Sequence, residues 1–253
     1  MARIARKKSK SGTYHIMLRG INKQRIFEEE EDYEKYLQVL ELCQGKSEFK
    51  LMAYCLMGNH LHLLIEEDKE GLEQIFKRIG VRYVYWYNNK YNRTGHLFQD
   101  RFKSEPVDDD SYFLTVLRYI HQNPVKANLC EQAQQYKWSS YRDYLYDTGI
   151  TYTEFGLSLF HENSDKAKAL FASYMQEEET ANCLHFEWES KRITDKEAQD
   201  ILKEVCGVHS VTEFQAMDKI KRDRNIALLK RNGLSIRQIS RLTGISFAIV
   251  RKV

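Results

Sequence analysis

The chain is expected to fold as an α+β protein, an antiparallel sheet with helices packed on one face, followed by a separate helical domain. Three observations lead there. Two β-like runs, 50–57 and 60–66, are parted only by Gly58 and Asn59, the composition of a tight hairpin. Helical periodicities alternate with strand-like runs on both sides of that hairpin. Beyond about residue 145 no strand signal of similar strength follows.

The elements follow in order. TYHIMLR (13–19) reads as a strand, with a turn over Gly20 to Asn22. Tyr33, Tyr36, Leu37, Leu40 and Cys43 recur at helical spacing and predict a helix over 32–43. The hairpin comes next, then a long aromatic-rich helix over 70–90 carrying Ile75, Ile79, Tyr83 and Trp86. GHLFQDRFKSEPV reads as a loop entering another strand. DDDSYFLTVLRYIHQNP offers caps at Asp109, Asp110 and Ser111, with apolar positions at Phe113, Val116, Leu117 and Ile120. Pro124 disfavours helical geometry at Asn123, so this helix should stop there. Residues 164–179 and 194–206 are further helical stretches, the second opened by a capping box from Thr194 to Glu197. The expected division is 1–145 for the sheet domain, 146–190 for a helical connector and 191–253 for a helical domain.

Composition narrows the class. With 253 residues there is ample apolar material for a buried core. No run approaches a membrane span and MARIARKKSK lacks the apolar stretch of a secretory signal, so a cytoplasmic protein without membrane contact is expected. Five scattered cysteines with no CxxC pair argue against a disulfide framework or zinc ribbon. The net charge of +3 is unevenly spread. Residues 1–25 hold eight Lys or Arg and no acid, residues 219–253 hold ten against Asp223 alone, and the body between is acidic on balance. Clustered positive charge at two ends is what a polyanion such as nucleic acid attracts.

Within MGNHLHLLIE, strand alternation places His60 and His62 on one face and Leu61, Leu63 and Ile65 on the other. Two neutral imidazoles on one face can share a divalent ion, but two ligands do not close a site, and such a pair is often merely packed. In LRYIHQNPV, Tyr119 and Asn123 are four apart on one helical face and can serve one site. Among 16 tyrosines, spacing alone does not select Tyr119.

Taken together, YHIMLRGINKQRIF, AYCLMGNHLHLLIE, GHLFQDRFKSEPV and LRYIHQNPVKANL resemble the REP-associated tyrosine transposases, a branch of the single-tyrosine HUH transposases that act on single-stranded DNA. The resemblance covers roughly residues 10–145, in the family's order and spacing. It implies a ferredoxin-like sheet, His60 and His62 as metal ligands, Tyr119 as nucleophile, and Asn123 as the third ligand with Gln122 as a substitute. Gly58 stands where many relatives carry Pro, and both suit a turn. The implied ion is Mg²⁺ or Mn²⁺, and the implied partner is single-stranded DNA bearing hairpins. The implied assembly is a monomer or homodimer. No GxxxxGK[ST] loop is present, in keeping with a transfer that conserves the phosphoester bond and needs no nucleotide.

Cations and aromatics expected to hold the strand are Arg3, Arg6, Lys7, Lys8, Arg19, Arg101, Lys103 and Tyr83. At the other end, GLSIRQISRLTGISFAIVRKV reads as a helix-turn-helix. Ser235 and Ser246 are its caps, Gly244 its turn, Ile249 and Val250 point inward, and Arg237, Arg241, Arg251 and Lys252 face duplex DNA. Two other readings remain: a non-catalytic DNA-binding regulator on the same fold, and an HUH nickase for replication or mobilisation. A metal-dependent hydrolase sharing only HxH leaves Tyr119 unexplained.

Overall fold

A computed structural model describes residues 6–177, 183, 195–208, 211–234 and 236–253. The chain divides into two compact units, Met1–His185 and Phe186–Val253.

The first unit is built on four antiparallel strands, β1 (Thr13–Arg19), β2 (Lys50–Met57), β3 (His60–Glu66) and β4 (Lys103–Pro106), in the order β2-β3-β1-β4. The hairpin β2–β3 pairs Met57 with His60 around the two-residue turn, and a bulge between Leu51 and Ala53 shifts its far end. On its other side β3 pairs with β1, Arg19 opposite His60 and Met17 opposite His62. Strand β4 closes the sheet with Glu105 opposite His15 and Lys103 opposite Met17.

The α+β class and the antiparallel sheet are as expected, but the expectation of helices on one face is corrected: they cover both, because both faces of β1 and β3 carry apolar side chains. Helices α1 (Glu30–Ser47) and α2 (Leu72–Lys90) bury Tyr36, Leu40, Ile75, Ile79 and Tyr83 against Ile16, Leu18, Leu61, Leu63 and Ile65. Opposite them, α3 (Asp110–Lys126) packs Phe113, Val116, Leu117 and Ile120 with Met52, Ala53, Cys55 and Leu64. Helices α4 (Tyr141–Tyr146), α5 (Glu154–Ser158) and α6 (Ser164–Tyr174) join this second layer through Tyr144, Leu157 and Phe171. The described part of 146–190 thus includes residues of the same core that α3 builds. The strand alternation explains both layers: odd and even positions of β1 and β3 each find an apolar partner face.

Two local expectations are corrected. Helix α3 does not end at Asn123 but continues to Lys126 with Pro124 inside it. The missing N–H falls in the last turn, where one lost bond is tolerable, and the bonds Ala127 N to Asn123 O and Leu129 N to Pro124 O close the end beyond it. Tyr83 is fully buried and its hydroxyl donates to the Ile26 carbonyl at 2.6 Å, so it is a core residue and not a DNA contact.

The second unit is helical: α7 (Asp195–Cys206), α8 (Val211–Gln215), α9 (Lys219–Arg231), α10 (Ile236–Thr243) and α11 (Phe247–Lys252). Its core joins Leu202, Phe214, Ile226, Leu229, Ile239 and Val250. Gly244, at φ +67°, makes the turn between α10 and α11, a conformation that side chains other than glycine adopt at a cost. The Ser246 hydroxyl caps α11. Val250 points inward as expected, whereas Ile249 is 38% exposed because one face of a six-residue helix has room for a single deep anchor. Thr194 and Ser235, expected as caps, lie outside the described residues. Among the described residues no helix is long and apolar enough to cross a membrane. The five cysteines form no disulfide.

Candidate active site

The register of the sheet assembles the site. His60 and His62 of β3, Arg19 and His15 of β1, and Lys103 and Glu105 of β4 all lie on the face that α3 covers. The two rings of the HxH pair stand edge to face with centroids 5.2 Å apart. Tyr119, brought over the sheet by α3, sets its ring 5.5 Å from that of His62 and 5.7 Å from that of His15, edge-on to both. The structure therefore gathers His60, His62 and Tyr119, which are far apart in sequence.

Hydrogen bonds orient these groups. Asn59 Oδ1 lies 2.7 Å from His60 Nδ1, and the Asn59 amide is turned this way because its Nδ2 donates to the Lys23 carbonyl at 3.4 Å. An amide oxygen only accepts, so the proton sits on His60 Nδ1 and Nε2 keeps its lone pair. Burial lowers the His60 pKa to about 4, with the Arg19 charge adding to the effect, so the ring is neutral near pH 7. His62 Nδ1 is 3.0 Å from His15 Nε2. The Asn123 amide donates its Nδ2 to the Tyr119 carbonyl at 3.0 Å, and Asn123 is only half buried. Its Oδ1 is thereby turned away from its own helix.

Tyr119 is 8% exposed. Burial pushes its hydroxyl up to about 12, against a hydrogen bond from Asn123 that lowers it. Lys126, about two turns further along α3, holds its ammonium 5.3 Å from the Tyr119 ring centroid. Sequence reasoning missed Lys126 and His15. The first was legible as Tyr119 plus seven, on the same helical face.

A metal held here needs the amide as its third ligand. Among the described residues no group of three or more His, Cys, Asp and Glu is arranged to hold an ion. Two imidazoles plus one amide oxygen are a donor set of the right kind for a divalent cation. Gln122 does not join them: its Nε2 is spent on the carbonyls of Met175 and Glu177 at 2.9 and 2.6 Å.

The basic residues expected to hold DNA are dispersed. Arg19 and Lys103 belong to the histidine face. Arg6 and Arg101 line a cleft of about 320 Å³ walled by Leu18, Phe76, Phe98 and Phe102. There the Arg6 guanidinium stacks 3.8 Å from the Phe102 ring centroid and pairs with Glu73 at 2.7 Å, and Arg101 approaches the same carboxylate at 3.8 Å. Lys7 and Lys8 are exposed. Arg241, Arg251 and Lys252 are exposed in the second unit. Arg3 and the side chain of Arg237 lie outside the described residues.

A buried tyrosine beside a pair of histidines on an antiparallel sheet brings together groups that nucleophilic catalysis can use. Residues 8–123 match the family described as Transposase IS200 like. The resemblance read from the sequence motifs and this family match agree in pointing to IS200-like transposases. Among solved structures, a REP-associated tyrosine transposase bound to a REP hairpin is 18% identical, covering 60% of this chain and 92% of its own, with a TM-score of 0.49. A transposase-like protein of Deinococcus radiodurans is 13% identical, covering 47% of this chain and 96% of its own, with a TM-score of 0.35. No curated protein matches the chain.

Proposed function

We propose that the first unit cuts and rejoins single-stranded DNA at hairpin-containing sequences, as REP-associated tyrosine transposases do, through a covalent 5′-phosphotyrosine on Tyr119. The observation that carries this reading is the convergence of the Tyr119 ring on His62, 5.5 Å away, with His60 beside it.

The chemistry follows from what the residues can do. Tyr119 Oη attacks the scissile phosphorus and forms an O–P bond as its proton departs. The P–O3′ bond breaks, its electron pair stays on the 3′ oxygen, and that oxygen takes up a proton as a free 3′-OH. A 3′-OH of the same or another strand then reverses the step, so the phosphoester linkage is conserved. His60 and His62 through Nε2 and Asn123 through Oδ1 are the groups that would hold Mg²⁺ or Mn²⁺. Such an ion supplies charge to polarise and orient the phosphate. Arg19, Lys103 and Lys126 add fixed positive charge around the phosphate oxygens, where negative charge gathers. The aromatic cleft flanked by Arg6 and Arg101 suits an unpaired strand, since every base has a face to stack. The helix-turn-helix of the second unit is assigned to duplex DNA through Arg237, Arg241, Arg251 and Lys252.

The test is a denaturing gel of end-labelled single-stranded DNA with hairpins, with and without Mn²⁺. Wild type is expected to nick and to leave a covalent protein-DNA band. Tyr119→Phe abolishes the band, and His60→Ala and Asn123→Ala reduce it by about 10–100-fold or more. Retained DNA binding with no adduct on any strand would instead support a non-catalytic regulator.

A further inference from the structure

His15 has no role among the motifs that mark the family's chemistry, yet it is fully buried beside the site. Its Nε2 lies 3.0 Å from His62 Nδ1 and the two rings stack with centroids 5.2 Å apart. Its other nitrogen, Nδ1, is buried with no partner inside hydrogen-bond distance. The carboxylate of Glu105, directly opposite on β4, stands 3.9 Å from that nitrogen. The Tyr112 phenol of α3 is a neighbour of the same carboxylate, and burial together with that carboxylate raises its pKa.

We propose that Glu105 and His15 are positioning residues that fix the tautomer of His62 through a carboxylate–imidazole–imidazole relay, placing its proton on Nδ1 and its lone pair on Nε2, the nitrogen that would face a metal ion. The direction of the relay follows from the carboxylate, which can only accept. His15 must therefore turn its N–H, on Nδ1, toward Glu105, and its Nε2 is left as an acceptor. Across the 3.0 Å contact the donor is then His62 Nδ1–H, and the lone pair of His62 falls on Nε2. Were His15 protonated on Nε2 instead, its buried Nδ1 would be a lone pair facing an anion, an arrangement disfavoured on both sides. Full burial lowers the His15 pKa, against the Glu105 carboxylate, which raises it. The two ligand histidines are thus set by different devices, His60 by an amide oxygen and His62 by a carboxylate acting through a second ring. A carboxylate behind a ligand imidazole also raises its basicity.

The relay rests on the metal-binding reading above, and the experiment separates the two. In metal-free full-length protein, long-range ¹⁵N–¹H correlation of the imidazole nitrogens reads the tautomer directly. His62 is expected with its proton on Nδ1 in wild type, and with a growing Nε2–H population in Glu105→Leu. A His62 proton on Nε2 in wild type overturns the relay. Mn²⁺ affinity, followed by the electron paramagnetic resonance of the free ion, should weaken about tenfold in Glu105→Leu and in His15→Leu, with Glu105→Gln and His15→Gln restoring most of it. Glu105 is partly exposed, so its variant decides the matter even where His15→Leu fails to fold. Folded variants that bind Mn²⁺ as wild type does overturn the proposal. Wild type that binds no Mn²⁺ overturns the metal reading and leaves the tautomer result to stand or fall separately.

Discussion

Burial acts on two acids of the first unit in the same direction with different consequences. Tyr119, pushed up to about 12, remains a neutral phenol across the physiological range, so in the proposed attack its proton would leave as the bond to phosphorus forms. Asp143 of α4 is raised to about 6 by burial, against bonds from Thr151 that lower it. Its folded pKa exceeds the unfolded value near 3.9, so the protonated form is the one the fold favours. The associated stability is fully present below about pH 4 and is lost as pH rises through 6. Asp143→Asn, which keeps the shape without the charge, should gain about 1–2 kcal/mol on wild type between pH 4 and pH 7, after allowance for screening. Urea midpoints of both proteins across that range check it, and parallel profiles would refute it. At this scale the histidine pair and Tyr119 were legible because their motifs are local. His15 was not, because one histidine in an apolar strand looks like a packed core residue until the register of two other strands is known.

Among the elements, the hairpin was legible to the residue. Gly58 and Asn59 leave no other place for the turn, and alternation on either side fixes the register. Helix α3 was misjudged at its end because the rule about proline weighs local geometry alone. Burial of Pro124 and the bonds beyond it outweigh the local preference. A second backbone constraint falls at the end of β1. A Cβ on Gly20 would lie 2.2 Å from the Gln24 carbonyl oxygen and 2.9 Å from Ile26 Cγ2. Gln24 is itself fixed by its bond to the Ile21 carbonyl at 3.0 Å, so the loop must move as a body. Gly20→Ala should cost about 1–3 kcal/mol in chemical denaturation, and a change below about 0.5 kcal/mol would show that the loop yields freely. The Gly20 amide also bonds the Asn59 carbonyl at 2.9 Å, which links this loop to the turn that presents His60.

For the whole molecule, the division of charge between two ends and an acidic body was visible from composition, as was the change from a sheet unit to a helical one. The sharing of Glu73 by Arg6 and Arg101 was not visible, since nothing local in the sequence joins residues so far apart. If the second unit binds duplex DNA through its terminal cations, Arg251→Gln with Lys252→Gln should reduce the slope of log Kobs against log salt by about 1–2, with single-strand nicking unchanged. An unaltered slope would remove those two residues from the interface. The order β2-β3-β1-β4 has one more consequence. The strand bearing HxH is an inner strand, bonded along both edges, whereas Tyr119 rides on a helix that lacks one ladder bond a turn further on. Amide hydrogens of 61–65 should therefore be among the last in the first unit to exchange with heavy water, and those of 123–128 among the earlier ones. The two halves of the proposed site would then differ in stiffness, with a rigid half that carries the histidines and a more compliant half that carries Tyr119.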